Sequence, residues 1–167
     1  MIKVKVDSIR ASLMSEHRVI ILKDIEADRY LPIWIGPYEA EAIAIRLRDV
    51  EVARPLTHDL LNNVISKMGG EISHITVNDL RNDTFYAYIT VKLNGGQVEI
   101  DSRPSDAIAL AVRAEIPIFV EEDVMAQASI IPEADIAEGT GEGTDDEELS
   151  AFRDFVNSLD LDDLPLQ

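Results

Sequence analysis

The 167-residue chain contains no cysteine. Disulfides, thiolate nucleophiles and zinc–thiolate sites are thereby excluded, and the composition suits a reducing cytoplasm, the expected compartment. Long apolar runs are missing too. No stretch approaches the roughly 18 residues of a membrane-spanning helix, so no membrane partner is expected. The N-terminus, MIKVKVDSIR, lacks the apolar block of a signal peptide; its alternation of apolar and charged residues reads as a strand. Basic residues are scarce: 15 Lys and Arg stand against 32 Asp and Glu, a net charge of −17. Residues 133–167 hold twelve acids and one base, Arg153, or −11; residues 1–132 hold twenty acids and fourteen bases, or −6. Even the body is therefore acidic, which counts against a broad electrostatic grip on DNA or RNA. Familiar catalytic signatures are absent as well: there is no GxSxG, P-loop, HExxH or GxGxxG.

What is present is a repeat. Ile33–Arg48, IWIGPYEAEAIAIRLR, returns 65 residues later as Val98–Arg113, VEIDSRPSDAIALAVR. Ile35 falls on Ile100, Glu41 on Asp106, Ala42-Ile43-Ala44 on Ala107-Ile108-Ala109, and Arg48 on Arg113. Such spacing implies two related structural units in one domain.

Local patterns fill in the units. Ile2, Val4 and Val6 alternate with charged residues, and Val19–Leu22 and Tyr30–Ile35 are apolar runs, giving three strands. Pro37 opens a helix through Arg48. Thr57 is placed to cap a second helix that stops at Gly69-Gly70. The second unit repeats the plan, with strands at Ile72–Val77, Phe85–Leu93 and Gln97–Ile100, the last two joined at an Asn94-Gly95-Gly96 turn. A helix from Pro104, a short buried strand at Pro117–Val120 and a helix over Glu121–Ala128 complete it. The fold class expected is α+β: duplicated β-β-β-α units in one compact domain over residues 1–132. Residues 133–148 read as an acidic flexible linker. Residues 149–167 place Leu149, Phe152, Val156 and Leu159 at helical spacing, a short amphipathic helix and tail that could dock on the domain or take a protein partner.

The polar groups at strand-to-helix junctions are the candidate chemistry. Hydrolysis of a phosphodiester calls for carboxylates around a divalent metal, a base or metal-bound water, and a cation for developing charge. Asp101, Asp106, Glu39 and Asp59 could hold the metal, Mg or Mn. Asp101, Asp106, Arg103 and His58 form the candidate catalytic set. The alternative for the same residues is structural. Acids in a first helical turn favour the helix dipole, Asp101 or Ser102 can cap a helix, and Arg103 can pair with Asp106. Ile100 is expected to be buried by alternation, with Asp101 emerging at the strand end. His17 and His74 have no carboxylate placed to orient them and read as ordinary surface residues.

LPIWIGPYEAEAIA, RPLTHDLLNNVI, DTFYAYI, IDSRPSDAIALAVR and PIFVEEDV occur in that order. Together they resemble the bifunctional nuclease domain family over roughly residues 1–130. The resemblance implies a duplicated α+β domain that self-associates and cleaves DNA and RNA. The family's polar motif positions fall here on Glu39, Arg54, His58, Asp59, Asp101, Arg103, Ser105 and Asp106, with Arg54 and Ser105 as substrate-binding candidates. Plant members carry a further motif beyond the domain, whereas this chain continues into its acidic tail. A homo-oligomeric nuclease is therefore one reading, with nucleic acid as a partner that the acidic surface disfavours. A non-catalytic regulatory or protein-binding module is the other.

Overall fold

A computed structural model describes residues 1–11 and 18–131. The linker and tail expected at 133–148 and 149–167 lie outside the described residues, as does His17. The first unit consists of β1 (Ile2–Ala11), β2 (Arg18–Asp24), β3 (Tyr30–Ile35) and α1 (Pro37–Leu47), followed by α2 (Thr57–Lys67). The second consists of β4 (Glu71–Arg81), β5 (Thr84–Leu93), β6 (Gly96–Ser102) and α3 (Pro104–Ala114), followed by β7 (Ile118–Val120) and α4 (Glu122–Ala128).

The duplication is visible in the sheet. Its order is β3-β2-β1-β7-β4-β5-β6, two three-stranded meanders flanking β7. β7 pairs antiparallel with β1 and parallel with β4. The turns follow from residues that tolerate positive φ. Asn94 and Gly95, at φ 51° and 78°, form the two-residue β5–β6 hairpin, and Asn82 and Asp83 do the same between β4 and β5.

One face of the sheet carries the core. Ile20, Leu22, Leu31, Ile33, Ile75, Val77 and Ile89 are buried there against Ile43 of α1 and Ile108 and Leu110 of α3. Ala107, Ala109 and Ala111 are also buried, and their small side chains let α3 lie between its neighbours and the sheet. Helices α1 and α3 are pinned at both ends. Arg103 Nη2 donates to Glu39 Oε1 at 2.7 Å near their N-termini, and Arg46 Nη2 to Glu115 Oε1 at 2.5 Å near their C-termini. The two helices therefore run side by side in the same direction.

Two local expectations are corrected. Ile100 is 42% exposed, not buried. It shares the helix-side face with its partner Ile89, but β6 is one of the two sheet edges, and the helices pack on β2 to β5 rather than over it. Thr57 is the first residue of α2 rather than its cap; the cap position is Leu56, whose amide donates to Asp59 Oδ2 at 2.8 Å. An acid three residues into the helix thus ties down the amide that precedes it. Helix α2 also turns Leu60, Leu61, Val64 and Met68 to the surface.

No helix among the described residues is long and apolar enough to cross a membrane.

Candidate functional site

The first turns of three helices converge. Glu39 lies in the first turn of α1, His58 in that of α2, and Asp106 in that of α3, where Arg103 is the N-cap residue. A continuous polar chain joins them. Arg103 Nη2 reaches Glu39 Oε1 at 2.7 Å, and Arg103 Nε reaches Asp106 Oδ2 at 2.8 Å. The other Asp106 oxygen, Oδ1, lies 3.2 Å from His58 Nε2. Local sequence explains the convergence. Gly36-Pro37 and Arg103-Pro104 turn the chain from a strand directly into a helix, and Pro at the first helical position costs no hydrogen bond. Both strand ends therefore deliver a helix N-terminus, with its partial positive charge, to the same end of the helix layer.

The electrostatics of the chain are graded. His58 is nearly buried, its side chain 11% exposed, whereas Arg103 is 66% exposed. The Asp106 carboxylate, and then that of Glu39, make the Arg103 guanidinium more basic than an ordinary arginine. It remains a cation facing solvent. If Nε2–H donates to Asp106, Nδ1 of His58 is left as the proton acceptor, and the carboxylate fixes that tautomer. Ser105, the neighbour of Asp106, is buried.

Asp59 belongs to a second cluster. Its Oδ1 takes Arg113 Nε at 3.0 Å, and Arg113 is 4% exposed. Asp106 and Arg113 lie two turns apart on α3, about 10 Å along the axis. His58 and Asp59, adjacent in sequence, therefore clasp α3 at two levels. Arg54 lies beside the second clasp, in a cleft of about 400 Å³ shared with Asp59 and Arg113.

Asp101 stands apart from both clusters. It pairs with Tyr88 across β5, while its neighbour Ile100 pairs with the core residue Ile89. Side chains alternate along a strand, so Asp101 points to the sheet face opposite the helices, where it is exposed. Nor does it cap α3, and Ser102 does not either: Ser102 Oγ donates to the Ala87 carbonyl. His74, half-buried, lies edge-on to Phe119 with ring centroids 5.4 Å apart.

The donor set for a divalent ion is not assembled as arranged. Glu39 and Asp106 are both committed to Arg103, and Asp59 to Arg113 and the Leu56 amide. Among the described residues no three His, Asp or Glu side chains are grouped to hold a metal ion. The residues Asp101, Asp106, Glu39 and Asp59 therefore do not fit a metal in this arrangement. The arginine that sequence reasoning missed is Arg113. The signal lay in its spacing from Asp106, which puts both on the α3 face that meets α2.

A family model for the bifunctional nuclease domain matches residues 20–133. That span contains every residue of both clusters. The chain belongs to the bifunctional nuclease domain family. It is 40% identical over 162 residues to an "uncharacterized protein" of Mycobacterium tuberculosis, covering 96% of each chain. It is also 30% identical over 101 residues to "Bifunctional nuclease 2" of Oryza sativa subsp. japonica, and 29% identical over 110 residues to "Bifunctional nuclease 2" of Arabidopsis thaliana. Those plant matches cover 59% and 64% of this chain but only 31% and 33% of the plant proteins. The span matched by the family model is thus the part of this chain that carries the three converging helix N-termini.

Proposed function

We propose that this chain is a nuclease that hydrolyses phosphodiester bonds of DNA or RNA in a reducing cytoplasm. The observation that carries the reading is the chain Glu39–Arg103–Asp106–His58 across three helix N-termini. A phosphodiester is an anion, and its transition state carries more negative charge on the phosphoryl oxygens. Helix N-termini and an exposed guanidinium are complementary to that charge, even on an acidic protein. Arg103 takes the phosphoryl oxygens by exchanging its contact with Glu39 or Asp106. His58 accepts the proton of the attacking water as its oxygen bonds to phosphorus, the P–O3′ bond breaks to leave a 5′-phosphate, and the departing 3′ oxygen takes a proton from solvent water; Asp106 holds the imidazole and balances the charge it gains. Glu39 positions Arg103. No step is assigned to a metal ion: Glu39 and Asp106 contact Arg103, Asp59 contacts Arg113, and Asp101 stands on the opposite face of the sheet.

The test is cleavage of short single-stranded DNA and RNA by highly purified chain, assayed in chelator and then with added Mg or Mn. His58→Ala is expected to lower the rate by about 10²–10⁴-fold in each condition, the usual contribution of a general acid–base group. Equal rates in wild type and His58→Ala would assign the cleavage to a contaminant or another site. They would favour the second reading, a non-catalytic module, which the pairing of these carboxylates with arginines supports.

A further inference from the structure

The cleft beside the Asp59–Arg113 clasp is not used by the reading above. It lies between the C-terminal end of α1, the loop at 48–56 and the C-terminal half of α3. Three arginines line it, Arg46, Arg54 and the nearly buried Arg113, with one acidic residue, Asp59. Carboxylates offset the charges of Arg113 and Arg46, so Arg54 carries the uncompensated positive charge of the lining, in a chain whose net charge is −17. Arg113 and Arg46 are held in place by carboxylates, Asp59 in one case and Asp49 and Glu115 in the other. Arg54 makes no hydrogen bond or ion pair among the described residues, so its five donors are uncommitted.

The rest of the wall is aliphatic. Ile45, Val50, Val52, Pro55 and Leu56 contribute to it, and Val50 and Val52 are 52% and 43% exposed. Apolar side chains left open beside fixed cations match an anion with a carbon-rich body rather than a bare inorganic ion. A volume near 400 Å³ suits a molecule of mononucleotide size.

We propose that this cleft binds a nucleoside phosphate monoester, with Arg54 closing on the phosphate and Val50 and Val52 against the nucleoside. The charge argument selects the monoester. Its phosphate approaches −2 near neutral pH and so gains more from the Arg54 guanidinium than a diester at −1 does, and guanidiniums bind phosphate bidentately. The proposal deepens the nuclease reading, since a free mononucleotide product and a phosphorylated strand end carry the same chemistry. The clasp lies two turns along α3 from Asp106, about 10 Å, within reach of the next nucleotides of a strand held at His58.

Binding of adenosine 5′-monophosphate to the full chain by calorimetry, with amide shifts followed by NMR, tests it. Saturable binding is expected, with shifts concentrated at residues 45–56 and around Arg113. Adenosine should not compete. Arg54→Glu should weaken binding at least about tenfold, the loss expected for a charge-assisted phosphate contact. Arg54 is exposed and makes no ion pair among the described residues, so this variant should melt like wild type. A 5′-phosphorylated trinucleotide that competes while its 5′-hydroxyl form does not would identify the strand end. Competition by the mononucleotide alone would identify the product. Competition by adenosine or by the 5′-hydroxyl trinucleotide would overturn the proposal. So would binding unchanged in a folded Arg54→Glu, or no binding at all. Cleavage without mononucleotide binding would sink the cleft and leave the nuclease reading intact. Binding without cleavage would do the reverse.

Discussion

The imidazole of His58 and the carboxylate of Asp106 meet at 3.2 Å although 48 residues separate them in sequence. Helix α2 of the first unit is thereby tied to helix α3 of the second, so the contact depends on the duplicated fold rather than on local sequence. A catalytic and a structural role for this pair predict different variants. In the catalytic case His58→Ala loses about 10²–10⁴-fold in rate, and Asp106→Asn loses less, because it keeps an acceptor near His58 while giving up the charge. Both should retain wild-type circular dichroism. In the structural case both lose stability together, and the residual rate follows the folded fraction.

The Arg113–Asp59 pair is expected to behave asymmetrically. Arg113 is 4% exposed and Asp59 32%. Removing the acid leaves a nearly buried cation with only the Ala109 carbonyl, so Asp59→Asn should destabilise by about 2–3 kcal/mol, discounted from the fully buried case for the exposure of Asp59. Arg113→Met removes the buried charge and leaves a half-buried acid still bonded to the Leu56 amide. It should cost less than Asp59→Asn in urea denaturation. The reverse order would mean that the guanidinium stabilises through packing of its stem rather than through its charge.

Much of this fold was legible in residue pattern. Alternation marked the strands, prolines marked the starts of α1 and α3, and the 65-residue echo marked the duplication. What was not legible is which of the two sheet edges, β3 and β6, the helices cover. Ile35 and Ile100 are equivalent in the repeat, yet Ile35 is 5% exposed and Ile100 42%. Helix α1 packs beside β2, while nothing among the described residues extends over β6 to the same degree. The site was half legible for a similar reason. The first-turn acids and the Arg103–Asp106 pair were visible, but the Arg103–Glu39 and Arg113–Asp59 pairs are set by helix packing. Asp101 looked adjacent to Asp106 along the chain and lies on the other face of the sheet. Spacing gives no information on that until the strand's outward face is known.

Gly36 offers a test of Glu39 that leaves its carboxylate in place. A Cβ at position 36 would collide with the Glu39 carboxylate, the far end of a flexible side chain. The backbone there has φ −70°, which any residue adopts. Gly36→Ala should therefore fold, with a stability change within about ±0.5 kcal/mol. It should displace Glu39 from Arg103 and lower cleavage less than His58→Ala does. An unfolded Gly36→Ala would show that the side chain of Glu39 cannot move aside.

Truncation after Pro132 is expected to leave a cooperative thermal transition. The last described contact closes the domain: Tyr30 and Ile130 exchange backbone hydrogen bonds of 2.8 and 2.7 Å. The residues removed carry −11 of the charge, so self-repulsion should fall. A truncated chain that binds a hydrophobic dye and melts without a sharp transition would show that Phe152 and Val156 cover part of the core.

Asp24 gives the pH dependence its sign. Its carboxylate is 2% exposed and ends β2. The Glu26 amide donates to Oδ1 at 2.9 Å, and Arg29 donates to Oδ2 through Nη2 at 2.8 Å and Nε at 3.2 Å. Burial alone would push this carboxyl up; the Glu26 amide and then Arg29 outweigh it and hold the group below the usual carboxylate range. The folded state therefore gives up the proton more readily than the unfolded chain. The resulting stability is present in full above the unfolded value, near pH 4, and is lost as pH falls toward the lower folded value. Asp24→Asn should cost about 1–3 kcal/mol at pH 7, because the buried side of the Arg29 contact is left without its charge. The gap between wild type and variant should close as pH falls below about 4. Arg29 also reaches Glu122 of α4 at 3.1 Å, so loss of Asp24 should loosen that helix as well. Denaturation midpoints at pH 7, 5 and 3 decide it: a gap as wide at pH 3 as at pH 7 would show that shape, not charge, is what Asp24 contributes.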